Sequence, residues 1–192
     1  MLKMLLPALL LLLPISTSHA SKNAVAVFAG GCFWCMQSEL DKVPGIKKTV
    51  VGYTGGHTKN PSYHQVGTGT TGHIEAIKVL FDPAIISYKK LLEHFWKNVD
   101  PTDAGGQFCD RGNTYISRIF YLNNEQKKLA TASKAELAKK MGSKKIATDI
   151  VSASRFYPAE SYHQEYYKKN PVRYKFYRYR CGRDARLRQL WK

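Results

Sequence analysis

The chain has 192 residues, of which 44% are hydrophobic, 23% charged and 12% aromatic. This size and composition fit one globular domain and exclude a disordered or collagen-like chain. The 30 Lys and Arg residues against 14 Asp and Glu give a formal net charge of +16. Such a charge favours contact with anionic surfaces but identifies no partner.

The first twenty residues have the pattern of a secretory signal peptide. Lys3 gives a positive start, residues 4–15 are an apolar run, and a small-x-small cleavage pattern ends at Ala20. The run is short for a membrane span, although a retained anchor is the alternative. We therefore predict a signal peptide at residues 1–20 and one domain at 21–192, exported to a periplasm or equivalent space without stable membrane insertion.

The first predicted elements lead directly to a cysteine. Residues 24–29 (AVAVFA) predict a buried strand, and Gly30-Gly31 turn it into a helix that starts near Cys32. A second strand is predicted over residues 47–53. The Gly-, Thr-, His- and Tyr-rich residues 57–72 predict a loop long enough to carry function.

The remaining elements complete an α+β pattern. They are a strand over 73–81 whose one acid is Glu75, a helix over 87–98, a Gly-rich loop over 101–113, a strand over 115–122, a helix over 124–141 and an edge strand over 146–151. The order β-α-β-β-α-β over residues 24–122 predicts a ferredoxin-like split βαβ plait, a two-layer sandwich. The later residues are expected to form a wrapping C-terminal extension.

The last 25 residues concentrate the positive charge. Residues 168–192 hold ten Lys or Arg residues against one acid, Asp184, interleaved with tyrosines. A wrapped basic tail with solvated charges and a surface that binds an anionic partner both fit this composition. We expect no nucleic-acid partner, since an exported protein rarely meets nucleic acid.

Four cysteines occur, at Cys32, Cys35, Cys109 and Cys181. They contain no second closely spaced pair, so we predict no metal site. Cys32 at a helix start receives free backbone N–H groups and the positive end of the helix dipole, which favour the thiolate and make it a candidate nucleophile. Cys35 lies one turn further on, where a redox-active or a structural disulfide with Cys32 could form.

Four segments together resemble one known family. They are GGCFWC at residues 30–35, GHIE at 72–75, QFCDRG at 107–112 and FYPAESYHQ at 156–164. Over residues 24–170 the chain resembles peptide methionine sulfoxide reductase A. The resemblance implies a plait fold and thiol-dependent reduction of methionine S-sulfoxide, free or in proteins, for protein repair under oxidative stress.

The resemblance also assigns roles to individual residues. Cys32 attacks the sulfoxide sulfur, Tyr63 and Tyr115 hydrogen-bond the sulfoxide oxygen, and Glu75 is the acid. A carboxyl group facing an aromatic pocket would have its pKa raised by desolvation, so it could donate a proton near neutral pH. The supporting residues of the pocket are Asp110, the apolar wall Phe33 and Trp34, and the late-motif pair Tyr162 and His163.

A Cys32 sulfenic acid must then be resolved by a second thiol. Cys35, Cys181 and Cys109 are all candidates: Cys35 costs least loop closure, and a tail cysteine reaches well. The resemblance implies a thioredoxin-like reductant and no bound cofactor, and we expect a monomer.

Two other functions fit parts of the pattern. A general thiol-disulfide oxidoreductase would use Cys32 and Cys35 but would not need Glu75 or the two tyrosines. A non-catalytic basic binding domain would use all four cysteines structurally and would lack a fast-reacting thiol.

Overall fold

The computed structural model describes residues 23–191. The predicted signal peptide at residues 1–20 lies outside this range. Among residues 23–191, no helix is long and apolar enough to cross a membrane. A mostly antiparallel sheet with helices packed on it makes up this part of the chain, which confirms the predicted α+β class.

One large sheet organises the domain. The strands are β1 (Ala24–Gly30), β2 (Ile46–Thr54), β3 (Ile74–Phe81), β4 (Gly106–Gln107), β5 (Asp110–Arg111), β6 (Ser117–Tyr121), β7 (Asp149–Ser152) and β8 (Tyr157–Pro158). Six of them form a sheet in the order β7-β6-β1-β3-β2-β8, and β4 pairs only with β5. Neighbours in the large sheet are antiparallel except β6 and β7, which are parallel.

Helices cover one face of this sheet. They are α1 (Phe33–Leu40), α2 (Tyr63–Gly67), α3 (Tyr88–Lys97), α4 (Asn124–Lys140), α5 (Tyr166–Lys169), α6 (Pro171–Arg180) and α7 (Arg183–Leu190). Apolar side chains of α1, α3 and α4 form the main core with Ile77, Val79 and Phe81 of β3. Because side chains alternate along a strand, Glu75 points to this same face.

Three predicted boundaries differ from the structure. The predicted loop at residues 57–72 contains α2, which begins with a reciprocal Ser62–Gln65 capping box. The strand predicted from residue 115 begins at Ser117, because the chain first turns at Gly112 into a 3₁₀ helix, Asn113–Tyr115. The edge strand predicted at 146–151 lies at Asp149–Ser152.

The C-terminal segment is helical and returns to the start of the domain. Helix α5 packs on α1, and α6 and α7 follow it. Tyr174 of α6 is buried, whereas Val172, Phe176 and Tyr179 point outward and are largely exposed. A disulfide between Cys109 and Cys181 joins the end of α6 to the β4–β5 hairpin.

Candidate active site

Cys32 sits at the N-terminal cap of α1, directly after the two glycines. Gly31 has φ +77°, and a Cβ on it would lie 2.5 Å from the Cβ of Gln107. Only glycine fits this turn, because the conformation is left-handed and the approach of Gln107 leaves no room for a side chain. The turn delivers the Cys32 side chain to the start of the helix, as the sequence predicts.

Glu75 faces the same turn from β3. Its Oε2 accepts a hydrogen bond from the Phe33 backbone N–H at 2.9 Å, and the residue is 2% exposed. Burial raises the pKa of Glu75 to about 8, against the lowering effect of the Phe33 N–H, while the charges of Asp110 and Cys35 raise it further. Glu75 therefore carries a proton at neutral pH, as predicted for this position.

The two thiols of the Cys32-x-x-Cys35 motif are free and buried. Burial raises the pKa of Cys32 well above its usual value, and the hydrogen bond that Cys32 makes to Cys35 raises it further. The same hydrogen bond lowers the pKa of Cys35 to about 7, opposed by burial and assisted by the charges of Arg183 and Arg178. Burial therefore opposes the thiolate that the helix end favours on Cys32, and the interaction between the two thiols shifts negative charge towards Cys35.

A small cavity opens in front of Cys32. Its volume is about 60 Å³, and its walls are mostly aromatic: Cys32, Phe33, Trp34, Tyr63, Glu75, Asp110, Tyr115 and Tyr177. Because one liquid water molecule occupies roughly 30 Å³, the cavity admits only a few heavy atoms. It brings together the predicted nucleophile, acid, tyrosine pair and aromatic wall.

Tyr63 and Tyr115 both line this cavity. Burial raises the pKa of Tyr63 to about 12 and raises that of Tyr115 as well, with further contributions from the charge on Glu75. Both hydroxyls therefore remain protonated and can donate hydrogen bonds to an oxygen atom. Such donors stabilise negative charge that develops on a bound ligand.

Glu160 accepts hydrogen bonds from both Tyr63 and Tyr53. One carboxylate oxygen accepts from the Tyr63 backbone N–H and the other from the Tyr53 hydroxyl, each at 2.8 Å. Sequence reasoning did not select Glu160 or Tyr53. Glu160 lies within the late motif at residues 156–164, which could have identified it, whereas nothing in the sequence of its strand distinguishes Tyr53 from an ordinary core residue.

Another residue of the late motif, His163, contacts Trp34. The Trp34 Nε1–H donates to His163 Nδ1 at 3.0 Å, and the Trp34 ring stacks on Tyr166 with ring centroids 3.8 Å apart. Burial lowers the pKa of His163 to about 4, so the ring is neutral and can accept. Tyr162 packs on His163 but is 54% exposed and does not line the cavity.

Asp110 links the cavity to the disulfide. Its Oδ2 accepts from the Tyr177 hydroxyl at 2.5 Å, and it follows Cys109, which is bonded to Cys181. Tyr177, which sequence reasoning missed, lines the same cavity as Cys32. Among residues 23–191, one group of Cys, His, Asp and Glu side chains is close enough together to hold a metal ion: Cys109, Asp110 and Cys181. The sulfur atoms of Cys109 and Cys181 are joined to each other in the disulfide.

Comparison with known proteins decides the family. The family model for peptide methionine sulfoxide reductase matches residues 24–192. The chain belongs to the peptide methionine sulfoxide reductase family. The peptide methionine sulfoxide reductase MsrA of Bacillus licheniformis is 54% identical over 173 residues, covering 90% of this chain and 96% of that protein. The MsrA of Bacillus subtilis is 53% identical over 173 residues, with coverage of 90% and 98%.

Solved structures agree with this assignment. The reduced form of Mxr1 from Saccharomyces cerevisiae superposes with a TM-score of 0.75 at 33% identity, covering 80% of this chain and 88% of that chain. Methionine sulfoxide reductase A of Corynebacterium diphtheriae gives a TM-score of 0.71 at 29% identity, with coverage of 81% and 78%. This reductase therefore carries out thiol-dependent reduction of methionine sulfoxide.

Proposed function

We propose that this reductase acts on the S epimer of methionine sulfoxide, free or in proteins, with Cys32 as nucleophile, Glu75 as acid, and Tyr63 and Tyr115 as oxygen-binding groups. The observation that carries the proposal is their convergence on one cavity of about 60 Å³. That volume fits the methyl sulfoxide end of a side chain and leaves the rest of the substrate outside. Phe33 and Trp34 supply an aromatic wall for the methyl group, because the methylthio end of a methionine side chain packs well on aromatic rings.

The first step is a proton transfer within the thiol pair. The Cys35 thiolate accepts the Cys32 proton along their hydrogen bond, which leaves the thiolate on Cys32. Cys35 is then neutral and Cys32 is the nucleophile. Because both thiols are buried, the new thiolate has lost its water shell before it meets the substrate.

The second step transfers oxygen. The Cys32 thiolate attacks the sulfoxide sulfur, and Glu75 gives its proton to the oxygen that Tyr63 and Tyr115 hold. The attack forms a transient S–S bond between Cys32 and the substrate sulfur. The protonated oxygen then passes to Cys32: the substrate S–O bond and the transient S–S bond break as an S–O bond to Cys32 forms, so the products are the methionine thioether, a Cys32 sulfenic acid and the Glu75 carboxylate. Methionine sulfur gains two electrons and Cys32 sulfur loses them. Solvent later returns a proton to Glu75.

We assign the resolving step to Cys35. Its sulfur attacks the Cys32 sulfenic sulfur, an S–S bond forms, and the leaving hydroxide takes the Cys35 proton as water. Cys35 is favoured over Cys109 and Cys181 because it is one helical turn away and hydrogen-bonded to Cys32 already. A neighbour held in place loses little conformational freedom on closing the bond.

Cys181 and Cys109 act next in this proposal. The reduced Cys181 thiolate attacks the Cys32–Cys35 disulfide, and Cys109 then attacks the mixed disulfide, so both electrons move inward and the disulfide moves outward. An outer disulfide with two free inner thiols is the arrangement in the structure, and Cys109 is exposed. A thioredoxin-like dithiol would reduce it, as the solved complex of yeast Mxr1 with Trx2 illustrates for that protein.

The proposal also covers the topology of the sheet, the oligomeric state and the cellular location. The core order β1-α1-β2-β3-α3-β6 and the antiparallel arrangement β6-β1-β3-β2 support a ferredoxin-like split βαβ plait. We propose a monomer that is exported after removal of residues 1–20. N-terminal sequencing of protein recovered from the expressing cell, and size-exclusion chromatography with light scattering, test these two points.

The decisive experiment offers the separate S and R sulfoxide epimers with dithiothreitol as reductant. We expect the S epimer alone to be consumed, and Cys32→Ser to abolish the reaction. Glu75→Gln is expected to lower kcat by roughly 10²–10⁴-fold, the usual contribution of a positioned acid. Consumption of the R epimer, or an unchanged rate in Glu75→Gln, would contradict the assignment.

A general thiol-disulfide oxidoreductase is the second candidate, favoured by the adjacent free thiols of Cys32 and Cys35. Reduction of insulin disulfides separates it from the first candidate. If disulfide exchange with external proteins were the main activity, the wild type would reduce insulin disulfides but consume neither sulfoxide epimer, and Glu75→Gln would leave insulin reduction nearly intact.

A further inference from the structure

Arg183 is a buried cation that the proposed chemistry does not use. It is the first residue of α7, and its side chain is 1% exposed. The guanidinium donates to the Asn98 carbonyl at 2.5 Å and lies 3.4 Å from the Gly30 carbonyl. It also contacts Met36 Sδ at 3.3 Å. Arginine keeps its charge across the accessible pH range, so a full positive charge lies inside the protein.

No carboxylate is within ion-pair distance of Arg183 in the part of the chain from 23 to 191. Arg178, by comparison, pairs with Glu39 at 2.8 Å and with Asp184 at 2.5 Å. Burying a cation without an ion-pair partner costs several kcal/mol, which two carbonyls and the face of the Phe108 ring, 4.5 Å away, offset only in part. A neutral side chain at position 183 would avoid that cost, so the charge itself needs an explanation.

The contacts of Arg183 point to the thiol pair. Gly30 lies two residues before Cys32, Met36 follows Cys35, and a Cβ on Gly31 would lie 3.8 Å from Arg183 Nη1. The guanidinium thus lies behind the first turn of α1, which carries both thiols. Its charge attracts the Cys35 thiolate, and this attraction helps to lower the pKa of Cys35.

Other groups face the pair from several elements. Tyrosines from α2, the 3₁₀ helix and α6 have pKa values raised mainly by burial and remain neutral: Tyr63, Tyr115, Tyr174 and Tyr177. Glu75 of β3 is protonated at neutral pH and gains negative charge only above it. Asp110 of β5 lines the same cavity as Cys32; burial raises its pKa, and the Tyr177 hydrogen bond and the charge of Arg183 oppose that rise. Arg178 of α6 also attracts Cys35 but already has two acidic partners.

We propose that Arg183 is the counter-ion of the Cys32–Cys35 pair, a positioning residue that keeps one negative charge on the two thiols at neutral pH without touching the sulfoxide. The charge it holds is the one that lets Cys35 accept the Cys32 proton. Its use in sulfoxide reduction rests on the proposed function, whereas the charge on the thiol pair can be measured without any substrate.

The test is a thiolate titration by ultraviolet absorbance between about pH 5 and 9, below tyrosine ionisation. With the Cys109–Cys181 disulfide intact, only Cys32 and Cys35 can contribute. Arg183→Gln keeps a hydrogen-bond donor but removes the charge, Arg183→Lys keeps the charge, and Arg188→Met removes an exposed charge from the same helix. Sulfoxide turnover is measured across the same pH range.

We expect a wild-type midpoint near pH 7. Arg183→Gln should raise it by about one pH unit, a roughly tenfold loss of thiolate below the midpoint, with an equal shift of the alkaline rise in kcat. Arg183→Lys and Arg188→Met should leave the midpoint within about half a unit.

An unshifted midpoint in folded Arg183→Gln would overturn the proposal. If that variant fails to fold, Arg183→Lys decides, because a midpoint raised by a full unit despite the retained charge would show that only arginine packing matters. If sulfoxide turnover is absent in the wild type while the Arg183-dependent midpoint persists, the proposed function fails and the counter-ion assignment stands.

Discussion

Glu75→Gln should change stability in a strongly pH-dependent way. A glutamate has a pKa near 4.5 in an unfolded chain, and burial raises that of Glu75 to about 8 in the folded protein. Between these values the folded state binds a proton that the unfolded state releases, so wild-type stability falls as pH rises. At about 1.4 kcal/mol per pH unit, the loss approaches 5 kcal/mol above pH 8.

Glutamine cannot ionise and can still accept the Phe33 N–H bond through its amide oxygen. We therefore expect Glu75→Gln and wild type to be similarly stable at about pH 4.5. By about pH 8.5 the variant should be more stable by a few kcal/mol, although it is far less active. The protein gives up stability to keep a proton donor in the cavity.

Urea unfolding at several pH values, with the disulfide intact, measures the effect directly. Glu136→Gln is the matched control, because it makes the same chemical change at an exposed position on α4. The reasoning is refuted if the stability difference between Glu75→Gln and wild type is the same at every pH, or if Glu136→Gln reproduces the pH dependence.

Four further substitutions have defined outcomes. Tyr63→Phe and Tyr115→Phe should each lower kcat by roughly 10-fold or more with little change in Tm, measured by steady-state sulfoxide reduction; an unchanged kcat in both would exclude them as oxygen-binding groups. Cys181→Ser should keep turnover with dithiothreitol but lose it with a thioredoxin-like reductant, as measured by coupled NADPH oxidation; equal rates with both donors would remove Cys181 from the proposed pathway. Gly31→Ala should lower stability by roughly 1–3 kcal/mol through left-handed strain and the clash with Gln107, measured by chemical denaturation; a wild-type midpoint would argue against this backbone turn.

The parts of the site that are local in sequence could be predicted. The strand, the two glycines and the helix that place Cys32 are contiguous, and hydrophobic periodicity shows them directly. The strand pattern showed that Glu75 is the one acid of β3, and a carboxyl group buried there has a raised pKa for general reasons. The family resemblance, not the spacing of residues, implied the pocket roles of Glu75, Tyr63 and Tyr115, and the structure places all three around one cavity.

The parts that depend on distant contacts could not be predicted. Glu160 reaches back 97 residues to the Tyr63 N–H, and Arg183 reaches 153 residues to the Gly30 carbonyl. No periodicity encodes such pairings, because they arise from how the residues after β8 fold back on the earlier part of the domain. The opposite pKa shifts of Cys32 and Cys35 could not be predicted for a related reason: the helix-end argument considers only local dipoles, whereas burial and the charges of Arg178 and Arg183 come from the tertiary fold.

The small volume of the cavity predicts which oxidised methionines can be repaired. Because about 60 Å³ has room for the tip of one side chain and no surrounding backbone, we expect the enzyme to recognise a chemical group and not a sequence. A sulfoxide buried in a folded client has to protrude by the length of its own side chain before it can enter. Repair should therefore follow the local unfolding of the client, and oxidised proteins should be reduced faster in mild urea than in their native state until the reductase itself unfolds.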